Sequence, residues 1–226
     1  MKLFEGNKYI EIDDETLEDS LLGNGNEANV YYYKGRILKI YKSSNKKVLN
    51  EKEVLEMSHI DTKRFLLPEE PLYDINKNFI GYARRYIIGY YKEIIGKMKL
   101  SKFIDEISYM EEDIEKFSNE KIDIEDLNMD NVLIGDGIYI SDPGSFIKMD
   151  ELRVSQIRSN NKNTFKNFII NDLIPNCIKL TKKEINNLSL YLKKEDSISD
   201  YISTFSKKQN ESVNSFMKKL SLTLSK

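Results

Sequence analysis

Several residues in this chain have types and spacings suited to phosphate chemistry. In "LGNGNEANV", Gly23, Gly25 and Ala28 stand at G-x-G-x-x-G spacing just ahead of the strand-like "NVYYY". Small residues there let backbone N–H groups approach phosphate oxygens, although Gly and Asn also mark ordinary hairpin turns. Lys39 follows Val30 by nine residues on the next strand-like run, and its apolar neighbours Leu38 and Ile40 point to the opposite face. A lysine so flanked needs a partner for its ammonium group. Glu51, twelve residues on in "LNEKEVL", is the candidate, with Glu53 as the alternative. The stretch "IDIEDLNMDNVLIGDGIYISDPGSF" concentrates oxygen ligands in Asp126, Asn128, Asp130, Asn131 and Asp142. Asp126, Asn128 and Asp130 match the first half of a calcium-binding loop. That reading fails at the sixth position, Asn131, where glycine is needed, and at the twelfth, Gly137, where a bidentate glutamate is needed. "DINKNF" at Asp74 fails in the same way.

These groups need elements to position them. Residues from about 9 to 41 alternate apolar and polar side chains, the period of antiparallel strands, with a hairpin turning at Lys34 and Gly35. "KKVLNEKEVLEM" switches to helical spacing through Val48, Leu49, Val54, Leu55 and Met57. Two further strand-like runs, "RFLLPEEPLYD" and "NFIGYARRYII", are joined by the polar "INKN". From about residue 89 the character changes. "MKLSKFIDEISYMEEDIEKF" reads as an amphipathic helix with Leu100, Phe103, Ile104, Ile107 and Met110 inside and its acidic run solvated. A strand-rich insert from about 122 to 147 follows, and "NTFKNFIINDLI", "KKEINNLSLYL" and "ESVNSFMKKLSLTL" read as helices. The expected architecture is α+β: residues 1–88 form a mainly β lobe with one helix, and 89–226 a mainly helical lobe.

Composition narrows the class. With 226 residues and 40% hydrophobic content the chain can bury a sizeable core. Lys plus Arg total 35 against 37 Asp plus Glu, so the net charge of -2 argues against a nucleic-acid partner. The opening "MKLFEGNKYIEIDD" has no apolar run of the kind a secretory signal carries, and no run reaches the ~20 residues of a bilayer-spanning helix. A cytoplasmic location with no membrane partner is the expectation. The single cysteine, Cys177, excludes an internal disulfide and reads as a small buried residue.

In this order, the Gly-rich turn, strand lysine, helix glutamate, "IEDLNMDN" and "YISDPG" resemble the protein kinase superfamily over residues 16 to 147. The resemblance implies a two-lobed kinase-like fold and ATP-dependent phosphotransfer with Mg²⁺, or Mn²⁺ in its place. Asp126 would accept or orient the proton of the attacking hydroxyl, and Asn131 and Asp142 would bind the metal. Lys39, held by Glu51, would contact the phosphates. Leu22, Gly23, Gly25, Ala28, Val30 and Ile37 would cover the nucleotide, with Leu133 as its floor and backbone near Ile87 to Gly89 at its edge. His59, in the turn after the helix, would be structural.

The departures are specific. Ile124 and Glu125 replace the family's His and Arg, Pro143 replaces the Phe of D-F-G ahead of Gly144, and no A-P-E motif follows. Asn128 stands where Ser/Thr kinases keep a lysine, which makes "DLNMDN" similar to aminoglycoside and other small-molecule phosphotransferases. Arg84 falls at or beside the gatekeeper position, where a charge needs a partner. Three readings follow: an atypical Ser/Thr protein kinase, a small-molecule kinase, and a non-catalytic pseudokinase that acts as a binding module. The phosphoryl acceptor, protein or small molecule, and the oligomeric state are not encoded in these motifs.

Overall fold

The computed structural model describes residues 1–42, 48–89, 94–142, 146–206 and 211–223. The chain divides into two compact units. The first comprises Met1–Thr62, Leu66–Ile87 and Asp142–Gly144, and the second Lys63–Phe65, Ile88–Ser141 and Ser145–Lys226. Pro143 and Gly144, the remainder of the expected D-P-G segment, lie outside the described residues.

The first unit is built on a seven-stranded antiparallel sheet. Its strands are β1 (Lys2–Glu5), β2 (Lys8–Glu11), β3 (Leu21–Asn24), β4 (Ala28–Tyr33), β5 (Arg36–Tyr41), β6 (Glu70–Tyr73) and β7 (Phe79–Arg85). They lie in the order β2-β1-β6-β7-β5-β4-β3. The β4–β5 turn has Lys34 at φ 46° and Gly35 at φ 81°, the pair of positive angles that a two-residue hairpin matching strand twist requires. One face of the sheet buries Leu38, Leu72 and Ala83 against Leu3, Ile10 and Ile12, so that the amino-terminal hairpin closes the core. The β1–β2 pairing and α1 (Asp14–Asp19), capped by the Asp13 carboxylate at Thr16 N (2.7 Å), go beyond what alternation alone signalled.

The helix α2 (Glu51–Ser58) begins later than the periodicity suggested. Asn50 is its N-cap: Asn50 Oδ1 accepts from Glu53 N (3.0 Å) while Glu53 Oε2 accepts from Asn50 N (2.8 Å). This reciprocal box places Val48 and Leu49 before the helix and leaves Leu55 exposed, while Val54 and Met57 are buried. The "INKN" turn is organised by Asp74, whose Oδ1 accepts from Asn76 N and Asn78 N, each at 2.8 Å.

In the second unit the helix α4 (Leu100–Asn119) buries Leu100, Phe103, Ile107, Met110, Ile114 and Phe117. Its acidic residues are not merely a solvated face, which corrects the sequence expectation. Asp113, fully buried, accepts from the backbone N–H groups of Lys63 (2.9 Å), Arg64 (2.7 Å) and Phe65 (3.3 Å). Buried Glu106 binds the Arg64 guanidinium through both oxygens and accepts from Ile138 N (2.9 Å). Arg64 also stacks over Tyr109 (4.8 Å) and Tyr139 (5.1 Å). Glu111 caps α8 (Ile198–Phe205), accepting from Ile198 N at 2.6 Å. Helical periodicity sees only apolar stripes, so Glu106 and Asp113, buried with their hydrogen-bond partners, and the half-buried Glu111 are invisible to it.

Two short hairpins and the remaining helices complete this unit. Strand β8 (Ile122–Ile124) pairs with β11 (Phe146–Lys148), and β9 (Val132–Ile134) with β10 (Ile138–Ile140). The other helices are α3 (Ile94–Lys97), α5 (Val154–Phe168), α6 (Ile174–Cys177), α7 (Lys182–Leu192) and α9 (Val213–Thr223). A π-helical turn at Ile169–Leu173 joins α5 to α6. Cys177 is buried. No helix among the described residues is long and apolar enough to cross a membrane.

Candidate active site

In the first unit, strand register decides which side chains share a face. Val30 opposes Lys39, Tyr32 opposes Ile37 and Ala28 opposes Tyr41 across β4 and β5, while Lys39 opposes Tyr82 and Ile37 opposes Arg84 across β5 and β7. Directly opposed residues in an antiparallel pair point to the same side. Ala28, Val30, Ile37, Lys39, Tyr82 and Arg84 therefore line one face, the reverse of the face that closes the core. Gly23 joins them opposite Val30. The close approach of β7 to β5 depends on Gly81, at φ +150°, where an added Cβ would lie 2.0 Å from the Lys39 carbonyl oxygen.

The tip of the Gly-rich hairpin is tied down. Gly25 N donates to Ala28 O (3.1 Å), and Lys42 Nζ donates to Asn24 Oδ1 and to Gly25 O (2.7 Å). Leu22, expected to cover a nucleotide, is 54% exposed, whereas Ala28 and Ile37 are buried and Val30 is half-buried. Ile87 is half-buried where the first unit's β7 segment ends.

Lys39 finds a partner, but not the expected one. Its Nζ donates to Asp142 Oδ1 at 3.1 Å, a pair of residues 103 apart in sequence. The ammonium also lies 5.8 Å from the centre of the Tyr82 ring. Glu51 is instead at the exposed start of α2, where its Oε1 accepts from the Tyr73 hydroxyl (2.7 Å). Partial burial together with that bond pushes the Tyr73 phenol up to about 12. The Lys39–Glu51 ion pair expected from spacing is thus replaced by Lys39–Asp142, because the Asn50 cap sets Glu51 at the first helical position instead of deep within the helix. Glu53, the alternative, is engaged in the capping box, and its charge adds to burial and the charges of Tyr82 and Asp142 in raising the Tyr41 phenol.

In the second unit, Asp126 stands between β8 and a 3₁₀ turn at Met129–Asn131. Asn128 holds both ends of this loop: its Nδ2 donates to Asp126 Oδ2 (3.1 Å) and its Oδ1 accepts from Asp130 N (3.0 Å). Asn131 O accepts from Ser141 N (2.8 Å), which fixes the chain immediately before Asp142. Leu133, on β9, is half-buried. Asp126 is exposed and near Asp172 of the π-helical turn, whose carboxyl is raised first by partial burial and then by the Asp126 charge. Such turns recur at functional positions.

A positioning residue that sequence reading missed is Asn161 of α5. It is fully buried, its Oδ1 accepts from Ile124 N (2.8 Å), and its Nδ2 donates to Ile122 O (2.8 Å) and Ser118 Oγ (3.1 Å). One amide therefore serves the edge of β8 that β11 leaves open, two residues before Asp126. A lone asparagine in a polar helix gives no local signal of this; only tertiary placement does.

Among the described residues no three His, Cys, Asp or Glu side chains cluster to hold a metal on their own. Magnesium commonly takes only one or two carboxylates and completes its shell with water and phosphate oxygens, so its chemistry does not require such a cluster.

No protein-family model matches the chain, and no curated protein sequence matches it. Solved structures do. The kinase domain of PknI from Mycobacterium tuberculosis is similar at 11% identity and TM-score 0.49, over 88% of this chain and 92% of that one. A cysteine-to-alanine mutant of the same domain is similar at 10% identity and TM-score 0.50, over 91% of this chain and 94% of that one. At such identity the second likeness speaks for the fold, and the chain has an α+β, protein-kinase-like fold.

Proposed function

We propose that this chain is a phosphotransferase, which moves the γ-phosphoryl group of a purine nucleoside triphosphate, ATP in the superfamily's ordinary case, to a hydroxyl. The observation that carries the proposal is the Lys39–Asp142 ion pair on the sheet face beside the Gly-rich hairpin. An ammonium of this kind donates to phosphate oxygens, and a carboxylate beside it suits a hard divalent cation. Asp142 and Asn131 would hold Mg²⁺ or Mn²⁺, which when bound with the nucleotide supplies charge neutralisation for phosphoryl transfer.

The residues of the chain have separable tasks in this scheme. Lys39 orients phosphate oxygens, and backbone N–H groups of the Gly23–Ala28 segment approach them. Asp126 orients the acceptor hydroxyl and takes its proton at a carboxylate oxygen as the new O–P bond forms and the bond to the nucleoside diphosphate breaks. Asn128 restrains Asp126 through the 3.1 Å hydrogen bond to its Oδ2. A Ser or Thr hydroxyl of a protein is the acceptor the reading places first. A small-molecule alcohol is the second, favoured by this same Asn128–Asp126 bond, which occupies the position where a lysine would otherwise reach the transferred group.

Incubation of the full chain with γ-labelled nucleoside triphosphate and Mg²⁺, followed by mass spectrometry for labelled phosphoester, tests the proposal. Label on the chain, on added proteins or on small alcohols supports it. Nucleotide binding with no transfer to any of them would leave a binding module in its place.

A further inference from the structure

Lys42, the residue that follows β5, ties down the tip of the Gly-rich hairpin, and the proposed chemistry gives it no task. Lys42 N donates to Glu27 O (2.9 Å), so the antiparallel pairing of β4 with β5 runs one residue past the strands, and the alternation of side chains runs with it. Tyr41 shares the Lys39 face, and Lys42 therefore leaves the sheet on the reverse face. From there its ammonium donates to Asn24 Oδ1 and to Gly25 O (2.7 Å). Both acceptors belong to the turn, since Asn24 ends β3 and Gly25 follows it. The lysine thus reaches past β4 to hold the end of β3 from behind.

Peptide geometry turns that contact into a consequence for the other side of the turn. A trans peptide carries its C=O and its N–H on opposite sides of the C–N bond. Holding Gly25 O toward Lys42 directs Asn26 N–H, the other half of the same peptide unit, away from Lys42 and toward the Lys39 side. Among the described residues Asn26 N and Glu27 N donate to no acceptor, whereas Gly25 N is taken by Ala28 O (3.1 Å). Glycine at position 25 makes this unit easy to flip, because it lacks the Cβ that restricts rotation of the backbone. A flipped unit would present its carbonyl oxygen, which repels a phosphate oxygen. The ammonium that pins the carbonyl therefore decides whether the hairpin offers phosphate a donor or an acceptor.

We infer that Lys42 is a positioning residue: by pinning Gly25 O and the Asn24 side chain from behind the sheet, it presets Asn26 N–H for a phosphate oxygen of the nucleotide. The inference rests on the phosphotransferase reading and assigns the device that orders its phosphate-binding turn. The experiment compares the full parent chain with Lys42→Met, checked for folding by its melting transition. Amide hydrogen exchange of Gly25 is measured without nucleotide, and the Kd of ATP with Mg²⁺ by calorimetry. Lys42→Met should exchange the Gly25 amide about ten-fold faster and bind ATP about ten-fold more weakly, the effect of losing one hydrogen bond to a charged group. Lys42→Arg, whose guanidinium can donate to the same oxygens, should bring both values to within about three-fold of the parent. Faster exchange with unaltered ATP affinity reduces Lys42 to a strut of the hairpin and overturns the inference. Weaker ATP binding with unaltered exchange means that the ammonium meets phosphate itself, and also overturns it. So does an arginine variant as defective as Lys42→Met. Each of these results leaves the phosphotransferase reading intact, whereas a parent that binds no ATP overturns both.

Discussion

Removal of the Asn161 amide tests the idea that one buried side chain sets the loop carrying Asp126. Asn161→Ala deletes three hydrogen bonds, two to β8 at 2.8 Å and one to Ser118 Oγ at 3.1 Å. The Ile124 N–H and the Ile122 carbonyl then face a dry interior, since Ile122 and Ile124 are 2% and 1% exposed. Each orphaned group costs about 1–3 kcal/mol, and local relaxation or entry of water recovers part of it, for a net loss of about 2–5 kcal/mol. For a chain of this size that corresponds to a fall in Tm of roughly 5–15 °C. Displacement of β8 also shifts Asp126, so turnover should fall by about ten-fold or more well below the melting range, with nucleotide affinity nearly unchanged. Differential scanning calorimetry and steady-state kinetics on the folded variant read the two effects separately. A variant that melts within 2 °C of the parent, at unaltered turnover, would refute the reasoning that Asn161 positions this loop.

Other perturbations have equally definite outcomes. Glu51→Gln should leave turnover within about two-fold, because Tyr73 and not Lys39 is its partner, whereas Lys39→Met should cost about 10²-fold or more; kinetics on both variants decides. Glu106→Ala strands the Arg64 guanidinium and Ile138 N, and urea denaturation should show a loss of about 3–5 kcal/mol. The carboxyl of Asp172 is raised by partial burial and by Asp126, so its contribution to stability is complete below the ordinary carboxylate value and lost as pH rises through the folded one. Asp172→Asn should therefore raise Tm at pH 7 and leave it unchanged near pH 3; the reverse pattern in a melting series would contradict this.

Much of the framework was legible because it is local. The Lys34–Gly35 hairpin, the run of β4 and β5, α4 and the strand-rich insert all follow from period and turn chemistry. So does the order of the site segments, since Asp126, Asn128 and Asn131 lie within one short loop. What escaped was set by tertiary contacts. Nothing near Lys39 in sequence announces Asp142 as its partner, and twelve-residue spacing to Glu51 was a poorer guide than the Asn50 capping box. Asp113 and Glu106 looked solvated because a helical wheel does not know that Arg64 and three backbone N–H groups need acceptors. Arg84 was noticed as a charge without a partner, and its burial on the Lys39 face is the structural part of that observation.

The central claim is phosphoryl transfer with Asp126 acting on the acceptor, and the most direct measurement compares single-turnover transfer from γ-labelled nucleotide by the parent and by Asp126→Asn. Nucleotide Kd is measured in parallel. The account predicts labelled phosphoester with the parent, a rate about 10²–10⁴ lower with Asp126→Asn, and Kd values within a few-fold of each other. Equal transfer rates for the two proteins would contradict it, as would a parent that binds nucleotide and transfers phosphate to no acceptor.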